Sequence, residues 1–330
     1  MIRVFIGLVG VVAALLAVWG TAAAQLQGGG ADWDSTSREF RGGSALPPVT
    51  RNATIDELTK MLSASQLSPL NRSLILSIRA FAFSRLGREA DSQKDVAEMM
   101  KVYPQGWPVA MSVTMPALAG GGDRGAALRA LGYGLQWKPN DPWLLIGQAQ
   151  VQMQIADFAG ALSTLDTAAA GSTTAAQQRS ASYFRGHANL NLGSFRAASD
   201  DFEASLAGQT TLKARLPGVL WRYAAQVRGK QDARGVLNRD IGNENLYEWP
   251  GPIAKFLLGK LPADELEVAA ESDDTAKKSN GKCMAAYFIG MDAVRRGDKP
   301  RARSQFQLAQ ARCPTVSEFN WAASSELKRL

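Results

Sequence analysis

From about residue 55 onward the apolar positions recur at helical spacing and break at intervals of about 35 residues. Ile55, Leu58, Met61 and Leu62 predict a lead-in helix. After it, apolar runs with small residues at fixed places reach a turn and are followed by a second helical run. The first such pair carries Leu76, Ala80, Phe83, Gly87, Val96, Met99 and Pro104. The next carries Met111, Met115, Leu118, Gly122, Ala127, Leu131, Gly134 and Pro139, and the third Trp143, Gly147, Phe158, Ala161, Leu165 and Ala168, with one residue added in its turn. A fourth has Gly186, Gly193, Phe195, Ala198, Phe202 and Leu206, and the last has Gly290, Gly297, Ala302, Phe306, Ala309 and Pro314.

Each small residue has a mechanical role in such a pair. Gly290 permits close approach of the two helices, Ala302 faces it, and Phe306 fills the space between them. Gly297 with Asp298 makes the turn, because glycine tolerates the positive φ that a helix end needs. Pro314 stops the second helix, having no N–H to donate. A lone hairpin cannot bury its apolar face, so several must stack. No segment has the alternation of a strand, and the fold class expected is all-α.

The pattern loosens after residue 212. Leu216 to Arg228 predicts a helix with Trp221 and Tyr223, Gly229 turns it, and Asp232 to Arg239 forms a partner. Trp249-Pro250-Gly251-Pro252 breaks the chain; Ile253 to Leu258 and Ala263 to Ala270 predict two more helices. The polar run Glu271 to Lys282 predicts a loop, and Glu318 to Leu330 a closing helix over the open end of the stack.

Ahead of the helices, Arg3 and the apolar run Val4 to Trp19 are followed by Ala22-Ala23-Ala24 before Gln25, the pattern of an export signal. The run is shorter than the about 20 residues of a spanning helix, so a cleaved leader is preferred to an anchor, and a periplasmic protein is expected. Residues 25–50, with Gly28-Gly29-Gly30 and Pro47-Pro48, predict a flexible arm. The organisation expected is therefore a signal peptide at 1–24, an arm at 25–50, a solenoid at 51–248 and a C-terminal hairpin with capping helix at 249–330.

Export alters the reading of the two cysteines. Cys283 opens the first helix of the last pair and Cys313 closes the second, so the ends lie side by side and a disulfide is expected; the alternative is two buried free thiols. The chain of 330 residues carries a net charge of +7. The densest basic stretch, 213–240, reads either as a solvated face or as a contact for an acidic partner. An export signal argues against nucleic acid.

Chemistry-bearing motifs are sparse. His187 is the single histidine, which excludes multi-histidine metal sites and leaves a Ser-His-Asp triad without a motif. Ser279 to Lys282 and Ser325 to Lys328 fit Ser-x-x-Lys, but no Lys-Thr-Gly partner exists. The adjacent pairs Asp200-Asp201 and Asp273-Asp274 do not converge by themselves. No enzyme, cofactor or metal is expected.

The recurring Gly, Ala, Phe and Pro places resemble the tetratricopeptide repeat, and Trp249 to Leu330, with Cys-x-Ala-x-Tyr-Phe-x-Gly at 283–290, resembles periplasmic repeat proteins that act as adaptors for envelope proteases and peptidoglycan hydrolases. The resemblance implies a solenoid scaffold with other envelope proteins as partners, homodimerisation, and a groove lined by the first helix of each pair. On this chain that lining is Trp143 (or its neighbour Leu144), Gln148, Tyr183, His187, Leu190, Asn191, Arg222, Gln226 and Arg228. Such a lining suits an extended or acidic peptide. A part in a secretion or pilus-assembly machine is the alternative. Lipoprotein members of that group carry a cysteine after the signal; Ala24 and Gln25 stand there instead, so a lipid-anchored form is not supported for this chain.

Overall fold

The computed structural model describes residues 54–63, 67–120, 123–272 and 275–330. The expected leader (1–24), arm (25–50), turn residue Gly122 and the Asp273-Asp274 pair lie outside the described residues. Among those described there are sixteen helices and no strand. They fall into two compact units, the first ending at Phe184 and the second running from Arg185 to Leu330.

In the first unit, α1 (Ile55–Leu62) leads into the hairpins α2 (Pro69–Arg85) with α3 (Glu89–Val102), α4 (Trp107–Ala119) with α5 (Arg124–Trp137), and α6 (Pro142–Gln154) with α7 (Phe158–Gly171). Helix α4 packs on both α2 and α6, so the first helices of successive hairpins adjoin, as in tetratricopeptide stacking. Ile75, Leu76, Met99, Trp107, Met111 and Leu131 are buried between them. A methyl on Gly147 would come within 2.7 Å of the Ser112 backbone, so glycine sets the spacing of α6 on α4.

The second unit begins inside α8 (Ala175–Leu192) and continues with α9 (Phe195–Ala204), α10 (Leu212–Arg228), α11 (Ala233–Ile241), α12 (Gly251–Leu257), α13 (Ala263–Ala269), α14 (Thr275–Arg296), α15 (Lys299–Arg312) and α16 (Glu318–Arg329). The boundary expected at 248/249 falls inside this unit. The Trp249-Pro250 break does interrupt the helices, yet α10, α12 and α13 all pack on α14, so one core spans it.

Six helices, α2, α6, α8, α10, α12 and α14, end in the same way. The residue past the cap has positive φ (Gly87, Ala156, Gly193, Lys230, Gly259 and Gly297), and two N–H groups turn back to the last carbonyls. In α14, Asp298 N donates to Ala293 O at 2.9 Å and Gly297 N to Val294 O at 3.0 Å; in α6 the pair is Asp157 to Gln152 and Ala156 to Met153. This double closure satisfies carbonyls that a helix end leaves open. The turn expected at Gly229 is made instead by Lys230, at φ 54°. Partner helices then start on a carboxylate: Asp123, Asp157, Asp232 and Asp298 each accept the N–H three residues on.

Ionic pairs repeat with the hairpins. Arg79 grips Asp95 sixteen residues later at 2.6 and 2.8 Å, and in the second unit Arg185 reaches Asp201 over the same interval at 2.7 Å. Asp95 is buried, which pushes its carboxyl above the ordinary range while Arg79 pulls it back.

Two local expectations are corrected. The polar run 271–282 is not a loop throughout: α14 starts at Thr275. Glu271 stands just ahead of that helix N-terminus, pairing with Lys278 at 2.6 Å and with Lys282, an arrangement that favours an extended helix. The basic stretch 213–240 is no uniformly solvated face. Arg215 reaches Asp240 O and Glu244, Arg222 pairs with Glu203 at 2.7 Å and Asp240 at 3.2 Å, and Arg228 pairs with Glu326 at 3.0 Å; Lys213, Lys230 and Arg239 are exposed.

Cys283 and Cys313 form a disulfide, with Cα atoms 4.9 Å apart. Cys283 lies inside α14 rather than at its start, and Cys313 caps α15. The antiparallel hairpin brings them opposite each other.

Candidate functional site

In the second unit α8, α10 and α14 present a common face, and α16 lies against it. Helix α16 packs on α15 and α14 and reaches α8 and α10 through its side chains. It thus does more than cover an open end. Its buried residues Phe319, Ala322, Ala323 and Glu326 follow the i, i+3, i+4, i+7 spacing of one helix face.

The apolar end of the seat is aromatic. Trp221 of α10 stacks on Phe319 with centroids 4.7 Å apart, and Tyr287 and Phe288 of α14 meet the same ring at 5.6 and 6.0 Å. Offset and edge-on contacts of this kind add to what area burial contributes. His187 of α8 stands edge-on to Trp221 at 4.5 Å and to Phe202 of α9 at 5.1 Å.

The other end is polar and buried. Ser325 Oγ donates to Asn191 Oδ1 at 2.7 Å, while the Asn191 amide donates to His187 O at 2.8 Å. Glu326 is 1% exposed and sits between Arg228 Nε at 3.0 Å and Arg329 Nη1 at 2.9 Å. Burial pushes its carboxyl up from the ordinary range, and the two guanidiniums pull it back. Arg329 also donates to Leu190 O at 2.9 Å and Asn191 O at 2.5 Å, carbonyls in the last turn of α8, where a cation complements the helix dipole. Both guanidiniums lie over the Phe195 ring, at 5.7 and 5.2 Å. The Tyr287 hydroxyl is fully buried, and desolvation, then the nearby Glu326, raises its pKa well above the usual value.

The residues expected to line a groove fall in different places. Trp143 and Gln148 are half-buried on α6 in the first unit. Tyr183, buried and edge-on to Phe184 at 5.4 Å, also belongs to the first unit. His187 has no exposed surface and is a core ring, not a groove residue; burial lowers its pKa to about 3. Leu190 is buried, Gln226 is 4% exposed, and Arg222 turns to Glu203 and Asp240 rather than to α16. Of the expected lining, Asn191 and Arg228 meet α16. Trp221, Tyr287, Phe319, Ser325, Glu326 and Arg329 were not anticipated, although the helical spacing from Phe319 to Glu326 was a readable signal.

The Ser-x-x-Lys pairs do not converge either. Ser325 bonds Asn191 while Lys328 is exposed, and Lys282 pairs with Glu271 rather than serving Ser279. Among the described residues no group of three or more His, Cys, Asp or Glu is placed to hold a metal ion, and no helix is long and apolar enough to cross a membrane.

No family model matches the chain. No curated protein matches it. Among solved structures it is similar to a tetratricopeptide repeat protein from Parabacteroides merdae ATCC 43184, at 17% identity over 77% of this chain and 99% of that one, with a TM-score of 0.42.

Proposed function

We propose that the chain is an exported scaffold of the bacterial cell envelope that binds segments of other envelope proteins on the first helices of its hairpins. The observation that carries this reading is the seating of α16: the face of α8, α10 and α14 holds a helix through aromatic contact at one end and paired polar side chains at the other. A surface of stacked hairpins that accommodates one amphipathic helix has the chemistry to accept another. Export is supported by the Arg3, Val4–Trp19 and Ala22-Ala23-Ala24 pattern and by the Cys283–Cys313 disulfide, since such bonds persist in oxidising compartments. Regulation of a protease or a peptidoglycan hydrolase is the role that the family resemblance favours.

The test is photocrosslinking in cells, with the reactive amino acid at Gln148 in the first unit or at half-exposed Leu192 in the second. The expected result is a defined set of crosslinked envelope proteins and a mature N-terminus at Gln25 by mass spectrometry. Crosslinks no different from those of an exposed control position such as Lys213, together with a cytosolic protein retaining Met1, would overturn it.

A further inference from the structure

We propose that α16 is a built-in occupant of a helix-docking groove formed by α8, α10 and α14. The groove takes from a partner protein an amphipathic helix that carries an aromatic residue and, two turns on, a glutamate. This rests on the scaffold reading above and names its site, its ligand chemistry and its regulation.

The grip on α16 is specific but small in apolar terms. Its buried apolar side chains are Phe319, Ala322 and Ala323; the other buried members are Ser325 and Glu326. Helix α14, by contrast, buries Met284, Tyr287, Phe288, Ile289 and Met291. A buried carboxylate with two guanidiniums gains from its partners about what it loses on leaving water, so it selects a geometry more than it strengthens one. A terminal helix held by little apolar burial and much polar contact opens more readily than a central helix such as α14.

The chain on the N-terminal side of α16 is suited to such opening. Cys313 is tied to Cys283, which holds the end of α15 against α14. Pro314, Thr315 and Val316 then separate that anchor from Ser317, the cap of α16. The ties that opening must break on this side are Asn320 donating to Gln310 O at 3.1 Å and Cys313 O at 3.2 Å, and Gln310 donating to Ser324 Oγ at 2.7 Å; the disulfide holds α15 in place when they part. Helix α16 can therefore swing away without unravelling α15.

What opening uncovers defines the ligand. Trp221, Tyr287 and Phe288 would form an aromatic floor where Phe319 sat. Arg228 would lose Glu326, and the Asn191 amide oxygen would lose the Ser325 hydroxyl. Arg329 belongs to the departing helix, so the groove itself retains Arg228 as the cation at that end, and an incoming glutamate restores the pair. A second copy's α16 carries the same features, but the proposed occupant is a partner's helix, and exchange between copies is an outcome that the test separates.

Hydrogen exchange on the full-length protein is the first measurement. The amides of α16 are expected to exchange at least ~10-fold faster than those at the centre of α14; equal protection overturns the proposal. The second uses a labelled synthetic peptide of residues 315–330 with the full chain. Phe319→Ala and Glu326→Gln each weaken the resident helix, so both variants should bind the peptide at least ~10-fold more tightly than the wild type, while a peptide carrying both changes should not bind. No gain in either variant, with α14 protection intact, overturns the proposal; if both variants lose that protection, the wild-type exchange result alone decides. Peptide binding accompanied by a concentration-dependent dimer of the wild type would assign the groove to a second copy and reject the partner helix. Equal protection of α16 and α14 with Gln148 crosslinks retained would sink the groove and leave the scaffold standing; loss of crosslinks at both Gln148 and Leu192 would sink the scaffold itself.

Discussion

Gly186 and Phe202 stand so close that a methyl on the glycine would come within 2.7 Å of the ring edge, and Gly290 repeats the relation with Phe306 at the same 2.7 Å. In both hairpins the ring fills the space that the missing side chain leaves. Gly290→Ala therefore forces the ring or the helix to move and should cost about 1–3 kcal/mol. Urea unfolding measures it. A midpoint unchanged from wild type would mean that the α14–α15 seam has slack which the geometry does not show.

The turn residue Ala156 carries the opposite expectation. It holds φ 62° where four of the five equivalent turns have glycine. An L-residue in that region is strained by roughly 1–2 kcal/mol, and glycine offsets part of the gain by its greater freedom when unfolded, roughly 0.5–1 kcal/mol. Ala156→Gly should thus stabilise by about 0.5–1 kcal/mol. Gly297→Ala, at φ 76°, is the mirror control and should destabilise. Thermal melts of the two variants would have to move in opposite directions.

His187 gives a pH signature with a definite sign. Burial holds its folded pKa near about 3, below its ordinary 6.5. The unfolded chain takes up the proton as pH falls through 6.5 while the folded chain does not. The stability that goes with a neutral His187 is therefore complete above 6.5 and is lost as the medium becomes more acidic. The slope is about 1.4 kcal/mol per pH unit. Between pH 7 and pH 5 the stability difference between wild type and His187→Leu should shift by roughly 2 kcal/mol against the wild type. Carboxylates common to both chains, such as Asp95 and Glu326, cancel in that difference. An unchanged gap would show that the imidazole is not kept neutral.

The Cys283–Cys313 bond closes a loop of sequence separation 30, which in the chain-entropy account contributes about 3–4 kcal/mol. Cys283→Ala with Cys313→Ala should lower stability by that order. The α14 amides nearest the bond should lose protection first. Denaturant curves with and without reductant give the same comparison on the natural chain.

The hairpins were legible because their determinants are local. Gly87, Gly193 and Gly297 take the turn, and Asp157 and Asp298 start the next helix. Gly186 with Phe202 and Gly290 with Phe306 set the close approach; all lie within one repeat. The candidate site was much less legible. Of the expected lining, Asn191 and Arg228 contact α16, whereas His187 is fully buried and Arg222 turns to carboxylates. A helix-face assignment gives the direction of a side chain only to within a sector. A competing carboxylate decides the rest, as Glu203 and Asp240 do for Arg222. The onset of α14 at Thr275 was missed for a related reason: Lys278 and Lys282 read as loop residues until Glu271 is seen to hold both.

By itself, then, the order of residues determined that this chain forms stacked helical pairs, where each pair turns and which two sulfurs face each other, because those outcomes depend on φ, on small volumes and on neighbours a few dozen positions away. Only the tertiary structure decided that α16 returns to α8 and α10, that Glu326 is enclosed by Arg228 and Arg329, and that His187 is enclosed by rings. The links from α16 to α8 join residues more than a hundred positions apart, and no periodicity in the sequence encodes a meeting that packing alone selects.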